Sequence, residues 1–474
     1  MSLKKLSRRD FLRTAALASA GLTLVACGGG APATEEAETG AGEAQAEPTT
    51  APTEPEGKLV WYAAQAADHL PPFEQQHEMW DEMYPKVEIE EVFVPWSEYP
   101  KKLTTMVAGG EPVDVVWVMI WNGLGGALNI NTWLKDDALM DFTPVFEAGT
   151  MDPDEYFQGL LESFRVDGRY WGAPFECWLA VFWYNKTLFD QGGVDYPTED
   201  WTWADYRDSA EKLTVRTEGR TEQFGTYTGP WTTFVYQAGG DLVSEDKQEV
   251  TLQTEAARTG FEEYYWYTFN GYSPVGDDTK VFSGLQSGKI ATHVHGNYMW
   301  TSFREVSKEL EFDFAATRLP AGPGPEPINK AGWAGFNVWS AFKASQYPEL
   351  AQEFVIHLGY GKGAEPWAAT GRVSPLKRFD LDYYQEVADL TEEEKARYAT
   401  VLNATFKKLE IGEIHPNQEG LDIEGVPPTV FMGPYNEEIN KAVIDKSQSL
   451  DEALEIAAQR TQTAIEDAQR ETGG

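Results

Sequence analysis

Cysteine is almost absent from the chain, which has two in 474 residues, Cys27 and Cys177. The Cys-x-x-Cys pair that is typical of zinc and redox sites does not occur. Two further catalytic patterns are missing: the Gly-x-Ser-x-Gly turn of a serine nucleophile and the His-Glu-x-x-His helix of a zinc hydrolase. The sequence therefore carries no signature of these enzyme classes.

Basic residues are also scarce, because 38 Lys and Arg stand against 76 Asp and Glu, for a formal net charge of −38. A surface this acidic repels phosphate backbones and anionic lipid headgroups, so the sequence predicts no nucleic-acid partner. Acidity of this kind suits a protein that must stay soluble in a salty or proton-exposed exterior.

The apolar run near the N-terminus, Ala15 to Ala26, is too short to cross a bilayer as a helix, which takes about 20 residues. It follows a basic segment in which residues 7–12, Ser-Arg-Arg-Asp-Phe-Leu, match the twin-arginine export signal. The segment Leu24 to Cys27 resembles a bacterial lipobox. We therefore predict that residues 1–26 are a signal peptide and that Cys27 is lipidated, so that the lipid is the protein's membrane contact. The alternative is an ordinary secretory signal that ends at a chance cysteine.

Aromatic residues are missing from residues 28–57, which are rich in Gly, Ala, Glu, Thr and Pro. Such a segment cannot bury enough apolar surface to offset its ordering entropy, so we predict that it is disordered. Residues 27–57 would then form a lipidated tether between the membrane and a globular body that begins at Lys58. With Cys27 lipidated, Cys177 has no cysteine left to pair with, and no intrachain disulfide can form.

The body alternates strand and helix patterns, which predicts an α/β fold with parallel βαβ units. Its length is sufficient for two domains with substantial cores. The last hundred residues have helical patterns, with capping boxes at Thr391-x-x-Glu394 and Ser449-x-x-Glu452. The main predicted strands cover residues 58–64, 87–94, 113–119, 224–227 and 290–295, and helices are predicted at 73–84, 203–213, 256–269, 282–287 and 348–359.

One stretch, Asp167 to Phe189, separates the two halves of this pattern. Its first three residues, Asp-Gly-Arg, are a turn signal. Residues 177–184 are a continuous apolar and aromatic run, which suits a strand buried on both faces. Asn185 then ends the strand and starts a short helix. The carboxylate of Glu176 lies beside this run with no basic residue nearby in sequence.

The sequence words of this stretch, Asp-Gly-Arg-x-x-Gly-x-Pro at 167–174 and Tyr-Asn-Lys-x-x-Phe at 184–189, resemble a known hinge-crossing segment. It is that of the family 1 extracellular solute-binding proteins, the maltose-binding-protein-like ligand receptors of ABC sugar importers. Gly332 to Val338 resembles the second crossing of that family and Gly371 to Pro375 the third.

The resemblance implies a two-lobed periplasmic-binding-protein-like fold with three hinge crossings and a helical C-terminus. Lobe 1 would comprise residues 58–176 and 337–372, and lobe 2 residues 179–334 and 376–474. It also implies a monomer without cofactor or catalysis, which binds a mono- or oligosaccharide between its lobes and delivers it to the permease subunits of an ABC transporter.

Candidate ligand residues follow the predicted strands or lie in the crossings, because ligands of open α/β sheets bind beyond the carboxyl ends of strands. Aromatic rings stack on the apolar faces of pyranoses, while amides and carboxylates bond to hydroxyls, as a neutral sugar requires. Trp121, Trp231 and Trp333 are predicted to lie in loops flanked by Gly or Pro, and the ring of Trp231 is expected to be exposed in the open cleft. In the resemblance, Trp231 corresponds to a sugar-stacking tyrosine, Trp178 to a hydrogen-bonding glutamate and Tyr298 to a stacking tryptophan. These differences argue against maltose as the ligand, while the expected ligand is still a sugar. The candidates are Gln65, Trp121, Asn122, Glu176, Trp178, Trp231, Asn297, Tyr298, Trp300, Trp333, Phe336 and Arg372.

Two other functions remain open from the sequence. An exported glycoside hydrolase could use Glu176 with an acid such as Asp241, and a receptor for polyamines or basic peptides would suit the acidic body. His293 and His295 share a strand face, as metal ligands would, but no third ligand has a fitting spacing and no metal site is predicted. The segment from Gly284 to Lys289 resembles a phosphate-binding loop only superficially, because its spacing is wrong.

Overall fold

The computed structural model describes residues 55–472 apart from 67, 121–129, 135, 158–159, 162–163, 167, 245–248, 277–286, 388–389 and 412–427. The predicted signal peptide, Cys27 and all but the end of the tether lie outside the described residues. So do Trp121, Asn122 and nearly all of the predicted helix at 282–287. Within the described part, no helix combines the length and the apolar character that crossing a membrane requires.

The first predicted βαβ units are confirmed. Strand β1 (Gly57–Gln65) lies between β2 (Val87–Pro95) and β3 (Val115–Ile120) and is parallel to both. Residues 59–64 of β1 are all buried, as expected for a strand covered on both faces. The helices of this region are α1 (Leu70–Met83), α2 (Tyr99–Ala108), α3 (Asn131–Leu134) and α4 (Thr143–Glu147).

Strand β4 (Ala173–Asn185) is the predicted central strand, and all 13 of its residues are buried. Its first half pairs antiparallel with β9 (Ala334–Ala341), which also pairs antiparallel with β3. From Ala180 onward it pairs instead with β7 (Ile290–Gly296) and β8 (Phe314–Thr317). One strand is therefore shared by two sheets and links the two halves of the molecule covalently.

The second sheet continues from β7 to β6 (Arg220–Tyr227) and β5 (Val215–Thr217). The strand order through both sheets is β2-β1-β3-β9-β4-β7-β6-β5, with β8 attached to β4. Strand β6 runs parallel to β7, while β5 and β6 form an antiparallel hairpin. The helices of this half are α5 (Lys186–Gly192), α6 (Trp203–Lys212), α7 (Trp231–Gln237), α8 (Glu255–Phe269) and α9 (Trp300–Glu309).

The C-terminal part is helical, as predicted, and both predicted capping boxes are confirmed. The backbone N–H and side chain of Thr391 exchange hydrogen bonds with Glu394 at 2.8 and 3.2 Å, and Ser449 does the same with Glu452. The α/β class is confirmed, whereas the lobe boundaries and the number of crossings stay predictions. The helices are α10 (Pro348–Gly359), α11 (Ala364–Ala368), α12 (Leu381–Val387), α13 (Glu392–Ile411), α14 (Pro428–Asn440) and α15 (Leu450–Thr472).

Candidate ligand-binding site

A cavity of about 840 Å³ is lined by side chains from both sheets and their helices. Several lining residues lie within three residues of the end of a strand: Asp68 after β1, Trp96 after β2, Pro230 after β6 and Tyr298 after β7. This is the place where an open α/β sheet binds its ligands. Six of the predicted ligand residues lie in the wall, namely Glu176, Trp178, Trp231, Tyr298, Trp333 and Arg372.

Two other predicted residues, Trp300 and Phe336, lie in the hydrophobic core and not in the described cavity wall. The indole of Trp300 stacks on the ring of Tyr398, with centroids 4.5 Å apart, and Phe336 packs on Phe164 at 4.3 Å. Both side chains are almost fully buried, so their present contacts are those of core residues.

Asn297 and Gln65 also lie outside the described wall. The Asn297 Oδ1 accepts a hydrogen bond from the Leu179 N–H at 3.1 Å, and its Nδ2 donates to the Cys177 carbonyl at 3.4 Å. Asn297 therefore holds β4 next to the point where that strand changes sheets. Gln65 is the last residue of β1, and the wall begins one residue later, at Ala66.

A group of charged and polar side chains on one side of the cavity, which we call the Arg372 cluster, joins parts of the chain that are far apart in sequence. Arg372 Nη2 donates to Asp68 Oδ2 at 2.7 Å, and Nη1 donates to Glu176 Oε1 at 3.3 Å. Asn337 Nδ2 donates to Glu176 Oε2 at 2.8 Å. His69 Nε2 lies 3.3 Å from Arg372 Nη2. The cluster therefore consists of Asp68, His69, Glu176, Asn337 and Arg372.

Burial sets the protonation behaviour of the cluster. Glu176 is only 1% exposed, and this desolvation raises the pKa of its carboxyl above the ordinary value, against the opposing influence of Arg372 and Asn337. Asp68 is less buried, and the guanidinium of Arg372 outweighs its desolvation and lowers its pKa. Desolvation and the nearby Arg372 lower the pKa of His69 to about 4, so its imidazole is neutral at pH 7.

The aromatic part of the wall is built around Trp178 and Trp333, whose rings are 5.3 Å apart and inclined by 58°. His295 packs edge-on against Trp333 at 5.6 Å and against Tyr298 at 5.4 Å. The indole of Trp178 lies against the backbone of β9, and a Cβ at Gly335 would lie 1.9 Å from its ring. A glycine is therefore required at that position to admit the ring.

Trp231 lies in the wall, but the prediction that it belongs to a loop is wrong. Pro230 is the N-cap of α7, and the helix begins at Trp231. The indole packs on Phe261 at 4.8 Å, and its Nε1 donates to Asn436 Oδ1 at 2.7 Å. The residue is only 5% exposed, so Trp231 is both a wall residue and part of the packing between α7, α8 and α14.

His293 and His295, the pair considered as metal ligands, lie side by side on β7 with ring centroids 4.8 Å apart. Burial lowers the pKa of His295 to about 4 and that of His293 well below its ordinary value, so both rings are neutral at pH 7. The described residues include no group of three or more His, Cys, Asp or Glu side chains placed to hold a metal ion.

Several wall residues were not foreseen from the sequence, including Asp68, His69 and Asn337. Successive residues of a strand face opposite sides of the sheet. Because Phe336 faces the core, the next residue, Asn337, was the better candidate for the cavity wall. Two amides of α14, Asn436 and Asn440, also line the cavity. Their spacing of four residues places them on one helix face, a signal that the sequence contained.

A sequence profile of the bacterial extracellular solute-binding proteins matches residues 51–359. The chain belongs to this family. A curated relative, the arabinooligosaccharide-binding protein of Halalkalibacterium halodurans, is 26% identical over 329 residues, which cover 62% of this chain and 72% of the relative. The members of the family are binding proteins and not enzymes.

Two solved structures share the fold of this solute-binding protein. An ABC substrate-binding protein of Listeria monocytogenes, in complex with cycloalternan, matches with a TM-score of 0.69 at 20% identity, covering 87% of this chain and 99% of the other. The GacH receptor of Streptomyces glaucescens, solved without ligand and with acarbose, matches with a TM-score of 0.67 at 18% identity, covering 87% and 100%. These likenesses confirm the two-lobed periplasmic-binding-protein fold.

Proposed function

We propose that this solute-binding protein binds a carbohydrate between its two lobes and delivers it to the permease of an ABC transporter. The observation that carries the proposal is the composition of the cavity wall, in which the rings of Trp178, Trp333 and Tyr298 stand near the polar groups of the Arg372 cluster. Rings stack on the C–H faces of a sugar while the polar groups bond to its hydroxyls. The names of relatives support the proposal, since they include proteins that bind arabinooligosaccharides, cycloalternan and acarbose.

Ligand binding would favour a closed arrangement of the lobes by hinge motion, because contacts from both lobes are made only when the cleft is shut. We propose lobe 1 as residues 58–176 and 337–372 and lobe 2 as residues 179–334 and 376–474, with three crossings and a monomer as the working unit. Support comes from β4, which is shared by both sheets, and from the Cys177 N–H, which donates to the Val373 carbonyl at 2.8 Å.

The two alternatives from the sequence find less support. A glycoside hydrolase built on Glu176 and Asp241 needs both carboxylates at the ligand, but Asp241 is not among the described lining residues. A receptor for cationic ligands needs uncompensated carboxylates, whereas Asp68 and Glu176 both pair with Arg372. The acidic charge of the body is therefore not concentrated in the cavity.

The test is a thermal-shift screen of the soluble chain from residue 28 onward against neutral sugars, sugar acids, amino acids, peptides and polyamines. A tight ligand at 1,000 times its dissociation constant stabilises the folded state by about 4 kcal/mol. We expect the largest shifts with carbohydrates, followed up by calorimetric titration. Shifts confined to peptides or polyamines would refute a carbohydrate receptor.

We propose that Cys27 carries the lipid that holds the protein on the outer face of the cell membrane. Replacing Cys27 with Ser is expected to move the protein from the membrane fraction to the periplasm or medium. The reason is that the lipid is attached through the cysteine sulfur, and the serine hydroxyl cannot take its place. Membrane fractionation with an antibody measures this. Cys177→Ser is the matched control and should stay on the membrane, since Cys177 is buried in β4. Unchanged fractionation of Cys27→Ser would refute the anchor.

We propose export by the twin-arginine route, on the basis of residues 7–12. Replacing Arg8 and Arg9 with Lys should leave the chain in the cytoplasm with its signal attached, which immunoblotting of cell fractions detects by size. Replacing Lys4 and Lys5 with Arg keeps the same charge outside the motif and serves as the control. Normal surface levels of the Arg8→Lys, Arg9→Lys variant would show that another route is used.

A further inference from the structure

His295, near the end of β7, lies in the cavity wall next to the rings of Trp333 and Tyr298. The centroid of its imidazole is 5.6 Å from that of Trp333 and 5.4 Å from that of Tyr298, and the imidazole is nearly perpendicular to both rings. Gly296 makes this arrangement possible, because a Cβ there would lie 2.4 Å from the ring of Tyr298 and 3.1 Å from that of Trp333. The neighbours of the imidazole therefore hold it in one orientation.

One nitrogen of this imidazole is occupied by the protein's own backbone. The Gly296 N–H donates to His295 Nδ1 at 2.8 Å, so Nδ1 is the acceptor and the proton of the neutral ring lies on Nε2. Burial lowers the pKa of His295 to about 4, so the ring is neutral at pH 7. Its titratable neighbours, His293 and Tyr298, are also neutral at that pH, because burial lowers the pKa of the first and raises the pKa of the second. His295 is therefore a donor through Nε2–H that carries no charge.

The Nε2–H of His295 is open to the cavity. It has no hydrogen-bond partner among the residues that the structure describes, and it is not closed off from solvent as both nitrogens of His293 are. Strand β7 is an inner strand between β4 and β6, and His295 is half-buried while the other residues of 290–296 are buried. Solvent therefore reaches this donor from the cavity that His295 lines.

We propose that His295 contacts the ligand and donates a hydrogen bond from its uncharged Nε2–H to a hydroxyl oxygen of the carbohydrate, an inference that rests on the proposed carbohydrate function. The rings of Trp333 and Tyr298 offer apolar surfaces to the C–H face of a pyranose, and the donor beside them meets a hydroxyl at the edge of the same sugar. A hydroxyl oxygen has the lone pair that Nε2–H requires, whereas an ammonium group has none. His295 thus favours an oxygen acceptor over an amine cation.

Replacing His295 with Phe tests the contact, because Phe keeps a ring against Trp333 and Tyr298 and lacks the Nε2–H. Calorimetric titration of the chain from residue 28 onward uses maltotriose, mannotriose, galactotriose and arabinotriose as probes. For each trisaccharide that binds, we expect the dissociation constant to rise about ten-fold, the loss that corresponds to one neutral hydrogen bond. His295→Gln should bind within about three-fold of the native protein, because the amide N–H of Gln can take the place of Nε2–H.

His293→Phe is the matched control. His293 lies on the same face of β7 two residues earlier, but it is buried and outside the described wall, so the same exchange should leave the dissociation constant unchanged. A thermal melt of each variant shows that the titrated protein is folded. The ratio of the dissociation constants of His295→Phe and the native protein should be the same at about pH 5.5 and about pH 8, because a ring that is neutral at both donates the same hydrogen bond.

The possible outcomes separate the contact from the carbohydrate function. Native affinity in His295→Phe, or an equal loss of affinity in His293→Phe, would overturn the contact and leave the carbohydrate function intact. Equal losses in His295→Phe and His295→Gln would show that the shape of the imidazole matters and not its donor. A ratio that grows at the lower pH would indicate a charged imidazole and overturn the neutral hydrogen bond. If none of the four trisaccharides binds the native protein, the proposed carbohydrate function fails and the His295 contact with it.

Discussion

Replacing Arg372 with Met is expected to destabilise the protein by about 3–5 kcal/mol and to abolish ligand binding. Removing one partner of a buried ion pair leaves the other charge buried and uncompensated, which is the costly way to break such a pair. Arg372 is 9% exposed and Glu176 1%, so solvent cannot take the place of the guanidinium. The same substitution removes the cation–π contact of Arg372 with Trp367, at 5.2 Å. Urea denaturation at pH 7 and calorimetric titration measure the two effects.

The destabilisation should depend on pH in a defined direction. Burial raises the pKa of Glu176 above its ordinary value of 4.5, and without Arg372 it rises further. The folded state then holds a proton on Glu176 more tightly than the unfolded chain does. The stability that comes from this bound proton is fully present below about pH 4.5, and it is lost as the pH rises through the folded-state pKa of Glu176. The stability difference between the native protein and Arg372→Met should therefore be larger at pH 7 than at pH 5.

A matched control separates the structural from the ligand-binding role of Arg372. Arg207 makes a two-point ion pair with Glu263, which is also buried, and neither residue is in the described cavity wall. Arg207→Met should reduce stability and leave affinity unchanged. The double variant Arg372→Met, Glu176→Leu should regain stability, since both charges are gone, without regaining binding. If Arg372→Met binds its ligand normally, the Arg372 cluster is not part of the binding site.

The secondary structure was largely predictable because its determinants are local. The continuous apolar run at 177–184 gave a strand buried on both faces, and a Thr or Ser three residues before a Glu gave each capping box. The error at Trp231 was also local in origin. A proline before an aromatic residue occurs both in loops and at the first turn of a helix, and the sequence alone did not decide between them.

The site was predictable only where a residue's neighbours fix its direction. Phe336 and Asn337 alternate on β9, and the ring was chosen over the amide because aromatic residues suit sugars; the structure places the ring in the core and the amide in the cavity wall. The contact between Asp68 and Arg372 joins residues 304 positions apart. No periodicity or spacing encodes such a pair, since it exists only when both sheets are assembled.

Replacing Trp231 with Ala is expected to weaken ligand binding and, at the same time, to reduce folding stability by about 3–5 kcal/mol, the usual cost of truncating a buried Trp. If the ring of Trp231 were exposed in the cleft, its removal would change folding stability little, and this is what the sequence predicted. The packing on Phe261 and the hydrogen bond to Asn436 change the expectation, because truncation leaves a cavity beside Phe261 and removes the hydrogen bond that the indole makes. Trp231→Phe should restore part of the stability, since it refills most of the space and lacks only the Nε1 donor.

Trp300→Ala is the matched control for the affinity change. Trp300 is also a buried indole that begins a helix and stacks on an aromatic ring, but it is not in the described cavity wall. Its truncation should cost a similar stability and leave the dissociation constant of the remaining folded protein unchanged. Urea denaturation gives the stability of both variants, and titration at a temperature where each is folded gives the affinities. Equal losses of affinity in Trp231→Ala and Trp300→Ala would mean that Trp231 acts only through packing. A loss confined to Trp231→Ala would place its ring against the ligand.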